Sequence, residues 1–154
     1  MSPAAALIAE STVRAALADV TDPEIPTVSI VDLGIVERVD VGDDEIRIDL
    51  LPTFVGCPAL EIIRQAVEER LVGFDRPTHV DFTFGTPWTT DRLTAAGREG
   101  LRRAGIAPPT DGTVACPFCS SSHVTMDNLF GPTLCRSLYY CRTCRQPFEA
   151  FKPI

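Results

Sequence analysis

Two Cys-x-x-Cys pairs in the C-terminal third, a cleanly alternating β-hairpin and three separated apolar helical stripes predict an α+β protein. The expected architecture is a small α-β-β-α-β-α sandwich, its helices on one face of a short mixed sheet, followed by a C-terminal zinc ribbon. The boundaries fall at residues 1–106 for the first domain, 107–112 for a linker and 113–154 for the ribbon.

The first helix rests on Val13, Leu17 and Val20 at i, i+4, i+7, with Leu7, Ile8 and several alanines before them, and ends near Asp19. Thr21-Asp-Pro-Glu-Ile-Pro26 stops it, because each proline removes a donor and biases the preceding residue away from the helical region. An apolar, unperiodic loop runs to Gly34. Ile35 to Val41 and Glu45 to Leu51 then form a hairpin around Gly42-Asp-Asp, with Ile46, Ile48 and Leu50 inward. Pro58 opens a second helix whose stripe is Leu60, Ile63, Val67 and Leu71, and Gly73 ends it. Thr78 to Phe84 is a third strand, apolar at Val80, Phe82 and Phe84. A third helix runs from Asp91 to about Ala104, with Leu93 and Leu101 inward. Its Gly97 and Gly100 each weaken it by about 1 kcal/mol relative to alanine. Pro108-Pro109 and Gly112 mark the linker.

The ribbon is read from Cys116-Pro-Phe-Cys119 and Cys141-Arg-Thr-Cys144, separated by twenty-one residues. Four thiolates at that spacing make a closed tetrahedral site, and zinc suits it best as a structural ion. A rubredoxin-type iron centre shares the ligand set. Its knuckles normally carry a glycine after the second cysteine, where Ser120 and Arg145 stand here. Forty-two residues lie near the size at which an apolar core alone seldom suffices. A structural zinc supplies about 10–16 kcal/mol of apparent binding energy to such a unit. Its strands are expected at Val124–Met126, Leu134–Tyr140 and Pro147–Phe151, with Phe130-Gly-Pro132 turning between the first two.

Six cysteines without a visible secretory signal predict a reducing compartment, the cytoplasm, and metal or thiol chemistry. No stretch approaches a membrane span. The net charge of −7 divides unevenly: residues 1–112 carry ten Arg against nineteen acidic side chains, residues 113–154 four basic against two acidic. An anionic body repels phosphate backbones, so nucleic acid is a poor partner. No Ser/His/Asp set, phosphate-cradling glycine loop or dinucleotide fingerprint is present, which argues against independent catalysis.

Outside the ribbon, Cys57 is the first domain's one cysteine, at a strand-to-helix loop where backbone N–H groups favour a thiolate. Gly56 permits close backbone approach, and Thr53 shares the loop. A small buried cysteine packing the helix start is the alternative reading. Asp22 and Glu24 could bind a cation or a partner, or merely satisfy neighbouring N–H donors. Cys135 reads as core rather than ligand, and Trp88 as a cap on the core. His79 and His123 read as isolated surface residues.

Asp22-Pro-Glu-Ile-Pro26 with Val31-Asp-Leu-Gly34, and Thr53-Phe-Val-Gly-Cys57-Pro58, resemble the SufT-like domain of iron–sulfur assembly factors. Pro87-Trp-Thr-Thr-Asp91, Gly105-Ile-Ala-Pro-Pro109 and the ribbon motifs ending Pro147-Phe-Glu-Ala-Phe-Lys152 resemble the D-subunit family of the phenylacetyl-CoA epoxidase (phenylacetate-CoA oxygenase) system. That resemblance spans residue 10 to the C-terminus and implies an accessory factor of aerobic phenylacetate degradation. Such a factor matures the iron or iron–sulfur centres of the oxygenase and reductase components. The alternative is a structural scaffold without metal transfer. The resemblance further implies that Cys57 is the functional thiol, a transient ligand for iron or a cluster, and that Asp22 and Glu24 form the acidic motif. The oxygenase and reductase components are the implied partners. Contact with iron–sulfur assembly machinery and homodimer formation stay open. The chain departs from the family at Ser120 and in ending Phe151-Lys-Pro-Ile154 where Phe-Lys-Cys is common.

Overall fold

The computed structural model describes residues 7–154, so the alanines expected to begin the first helix lie outside the described residues. Helix α1 spans Glu10–Leu17, with Val13, Ala16 and Leu17 buried. Strands β1 (Val36–Val41) and β2 (Ile46–Leu50) pair antiparallel, and β3 (Thr78–Phe82) adds to β2 in parallel, giving the mixed sheet β1-β2-β3. Ile46, Ile48 and Leu50 point into the core as the alternation requires. Helix α2 (Ala59–Leu71) buries Ala59, Ile63, Val67 and Leu71, packing on β3 and α1. Leu60 is only half-buried. Ala59 replaces it because a stripe at i, i+4, i+8, i+12 keeps one face toward the sheet. Among the described residues, no helix is long and apolar enough to cross a membrane.

Three expectations need correcting. Gly73 does not end α2; it sits inside the following 3₁₀ turn Val72–Phe74, and Asp75 takes the left-handed conformation at φ 52°. Phe84 lies beyond the end of β3 and is 65% exposed, so the sheet buries Val80 and leaves Phe84 outside the core. The third helix splits into a 3₁₀ turn, Thr90–Arg92, and α3 (Ala95–Arg103), because Thr94 caps a fresh N-terminus by accepting the Gly97 N–H at 3.0 Å.

The two glycines of α3 have a tertiary purpose. A Cβ at Gly97 would stand 2.5 Å from the Asp32 carbonyl oxygen, and one at Gly100 would stand 2.5 Å from that of Thr27. The helix lies directly on the loop from Thr27 to Gly34, whose Val28, Ile30 and Leu33 are buried. That loop is apolar because α3 and the core cover it. Gly100→Ala, which in an exposed helix would add about 1 kcal/mol, is therefore expected to destabilise by about 1–3 kcal/mol. Thermal denaturation checks this, and a raised melting temperature would refute the close approach.

The ribbon sheet has the order β4-β7-β6-β5, built from Ile106–Ala107, Pro147–Phe151, Arg136–Cys141 and Val124–Asn128 in that order. The two residues of β4 pair in parallel with β7, so Ala107, at the start of the expected linker, is fully buried in this sheet. The ribbon is docked on the body. Ile106 and Phe151 belong to the same apolar core as α1, α2 and the mixed sheet. Trp88, 3% exposed, packs against Phe151 with ring centroids 5.8 Å apart and donates its indole N–H to the Leu33 carbonyl at 2.9 Å.

Candidate metal centre and thiol cavity

Each Cys-x-x-Cys knuckle is a tight turn at the edge of the ribbon sheet. The Ser120 amide donates to the Cys116 carbonyl at 2.9 Å, and the Cys141 amide to the Gln146 carbonyl at 2.9 Å. A hydroxyl bridge between Ser121 and Thr143, 2.7 Å, ties the two knuckles together. The turns bring the sulfurs of Cys116, Cys119, Cys141 and Cys144 within 4.8 Å of one another. The Cys116–Cys144 and Cys119–Cys141 separations are 3.7 and 3.6 Å. A tetrahedral ion with metal–sulfur bonds of about 2.3 Å requires sulfurs about 3.8 Å apart, so the donor set fits such an ion with no open position.

Ser120 and Arg145 occupy the glycine positions of the knuckles, and both adopt the left-handed conformation, at φ 64° and 59°. The turn geometry is thus reached without glycine, at about 1–2 kcal/mol per residue. The thiols are electrostatically divided. Backbone N–H groups of Cys144 and Thr143 pull the Cys141 thiol down to about 6, whereas burial and then the neighbouring thiols push Cys144 up to about 12. A cation is what lets all four ionise together.

The second feature lies where the ribbon meets the body. The segment Thr53–Pro58 leads into α2, with the Cys57 carbonyl accepting the Leu60 N–H at 3.3 Å. Gly56 has φ +80° and nothing within 4 Å of where a Cβ would stand. Its glycine is required by backbone conformation, not by a close neighbour. Cys57 is half-buried and lines a cavity of about 280 Å³ together with Thr53 and Glu24 of the body and Phe130, Leu134 and Cys135 of the ribbon.

The expected acidic pair separates. Asp22 accepts the amides of Glu24 and Ile25 at 2.8 and 3.1 Å, shaping the Asp22–Pro26 turn, while Glu24 lines the cavity. Cys135 is half-buried and packs against the main core, yet it also faces this cavity, and burial pushes its thiol up. Sequence reasoning missed Arg136 altogether. Its side chain, 8% exposed, donates to Glu149 at 2.8 Å and to the Glu24 carbonyl at 3.3 Å, binding the ribbon to the acidic turn. The only available signal was a cationic side chain opening a mostly apolar strand. Of the residues lining the cavity, Phe130 and Leu134 are 67% and 60% exposed. His79 pairs with Glu45 at 3.2 Å on the surface, and His123 is exposed. Among the described residues, the four ribbon cysteines alone converge as a group of three or more metal-ligating side chains.

Comparison with known proteins finds two families that match separate parts of the chain. Residues 10–82 match the family described as iron–sulfur cluster assembly protein, and residues 106–152 match the PaaD zinc beta ribbon domain. A protein of Escherichia coli (strain K12) named as the D subunit of a 1,2-phenylacetyl-CoA epoxidase is 41% identical over 150 residues, covering 91% of this chain and 90% of its own. An Fe-S protein maturation auxiliary factor of Porphyromonas gingivalis is 34% identical over 80 residues, 50% of this chain and 75% of that protein. Among solved structures, a domain of unknown function from Bacillus anthracis is 29% identical with a TM-score of 0.56. It covers 60% of this chain and 90% of its own. A conserved hypothetical protein from Thermotoga maritima is 27% identical with a TM-score of 0.53, covering 61% and 94%.

Proposed function

Because the chain belongs to the D-subunit family of phenylacetyl-CoA epoxidase, we propose that it is an accessory factor of phenylacetate catabolism that helps mature the iron or iron–sulfur centres of the oxygenase and reductase components. The observation that carries this reading is a free, half-buried thiol, Cys57, facing a cavity walled by both parts of the chain. Iron or a cluster held there by a thiolate would keep coordination positions open, so it could be taken up and released to a client. Four converging cysteines leave a tetrahedral ion no open position, which suits that centre to a structural zinc.

In this scheme Cys57 is the transient ligand, Thr53 and Gly56 shape its loop, and Glu24 offers a carboxylate at the same cavity. Asp22 acts by holding the turn that presents Glu24. The thiol chemistry fits a reducing cytoplasm. Exposed Phe130 and Leu134, which line the cavity, give client proteins, or iron–sulfur assembly machinery, an apolar surface to dock on.

The test is the iron and acid-labile sulfide content of the oxygenase and reductase components from cells carrying Cys57→Ser. Loss of iron, with the variant still folded and zinc-loaded, is expected. Full iron occupancy would leave the scaffold role in its place.

A further inference from the structure

The cavity holds two thiols, and they come from the two parts of the chain. Cys57 is presented by the loop entering α2, and Cys135 by the residue just before β6. Both are free and half-buried. We propose that Cys57 and Cys135 form one dithiol site that binds a thiophilic divalent metal cargo. This rests on the reading of Cys57 as a metal ligand and adds the second sulfur.

The placement of Cys135 is fixed on every side. Its carbonyl accepts the Lys152 amide at 2.8 Å, which locks it to the chain just after β7. Its sulfur lies 3.0 Å from the Thr133 hydroxyl. The next residue, Arg136, is bonded to both Glu149 and the Glu24 carbonyl, so the wall bearing Cys135 and the turn bearing Glu24 move together. Phe54, Pro58, Pro132 and Leu134 supply much of the remaining lining, which is mostly apolar. An apolar wall strengthens metal–thiolate attraction.

The contrast with the ribbon centre gives the site its chemical class. Four sulfurs within 4.8 Å make a closed cage that retains its ion. The cavity offers two sulfurs, and among the described residues no third metal-ligating side chain converges on them. A metal held there keeps positions for exchange with a client's ligands, as a carrier requires. The donor set selects soft or borderline ions such as Fe²⁺, Co²⁺ and Zn²⁺ over Mg²⁺ or Ca²⁺.

Co²⁺ titration of the full, zinc-loaded chain under anaerobic conditions tests the proposal, because Co²⁺ binds such sites more weakly than Zn²⁺ and leaves the ribbon ion in place. The wild type is expected to show a thiolate-to-cobalt charge-transfer band at one Co²⁺ per chain, with zinc content unchanged. Cys57→Ser and Cys135→Ser are each expected to weaken binding about tenfold or more and to diminish the band. In the wild type, Co²⁺ is expected to protect Cys135 from alkylation by iodoacetamide, read by peptide mass spectrometry, a measurement that needs no variant. If Cys57→Ser alone abolishes the band and Cys135 stays alkylatable, the dithiol site is overturned and the Cys57 reading survives. If neither substitution changes the band, both fail.

Discussion

Removing the ion from the four-cysteine centre is expected to unfold the ribbon and to lower the melting temperature of the body with it. Closed tetrathiolate sites in small units carry about 10–16 kcal/mol of apparent binding energy. The ribbon's own buried cluster has only Ala107, Cys116, Cys141, Phe148 and Ala150, and two of those five are ligands. No apolar core of that size compensates for the ion. The loss spreads because Ile106 and Phe151 are shared with the body's core. Chelation followed by amide exchange would show it as loss of protection across β5, β6 and β7. Persistent protection after the metal has left would show that side-chain packing alone holds the ribbon. Acid acts in the same direction. In the metal-free centre Cys144 keeps its proton up to about 12, so binding at neutral pH displaces that proton. Cys119, also raised above the ordinary thiol value, gives up a proton on binding as well, and Cys141, already ionised above about 6, adds a further one only below that pH. Affinity for the ion therefore falls as pH falls, and falls more steeply below about 6.

Phe151→Ala is expected to cost about 3–5 kcal/mol and to make the two parts of the chain melt separately. Phe151 is 3% exposed, lies on the ribbon strand β7, and packs its ring on Trp88 of the body. Truncation leaves a cavity at the seam that neighbouring backbone cannot fill, since Trp88 is itself held by its bond to Leu33. Two calorimetric transitions in place of one would mark the uncoupling. The cavity containing Cys57 and Cys135 spans the same seam, so Co²⁺ affinity should drop although no ligand is changed. A single transition at an unaltered temperature would show that the Trp88–Phe151 contact contributes little.

By itself the sequence determined most of the elements and the four-cysteine cluster, because both follow from short-range spacing. The hairpin from Val36 to Leu50 needs only alternation around a Gly-Asp-Asp turn, and α2 needs only its apolar stripe. The knuckles need two cysteines three residues apart, twice, and the backbone reaches that geometry even with Ser120 and Arg145 in the left-handed region. The motifs around Cys57 and the ribbon were also sufficient to place the chain in its family.

Only the tertiary structure decided what faces Cys57. Cys135 read as core because it falls on the strand expected over Leu134–Tyr140, whereas β6 begins at Arg136, and no local period tells the inner face of a strand from the wall of a cavity. Its position depends on β4 pairing with β7, on Arg136 reaching Glu24, and on Phe151 entering the body's core. The same is true of Gly97 and Gly100, which look like weak points in a helix until the loop beneath them is in place. Each of these depends on contacts between residues far apart in the chain. Such contacts are set by which surfaces exclude water together, and no window of neighbouring residues records that choice.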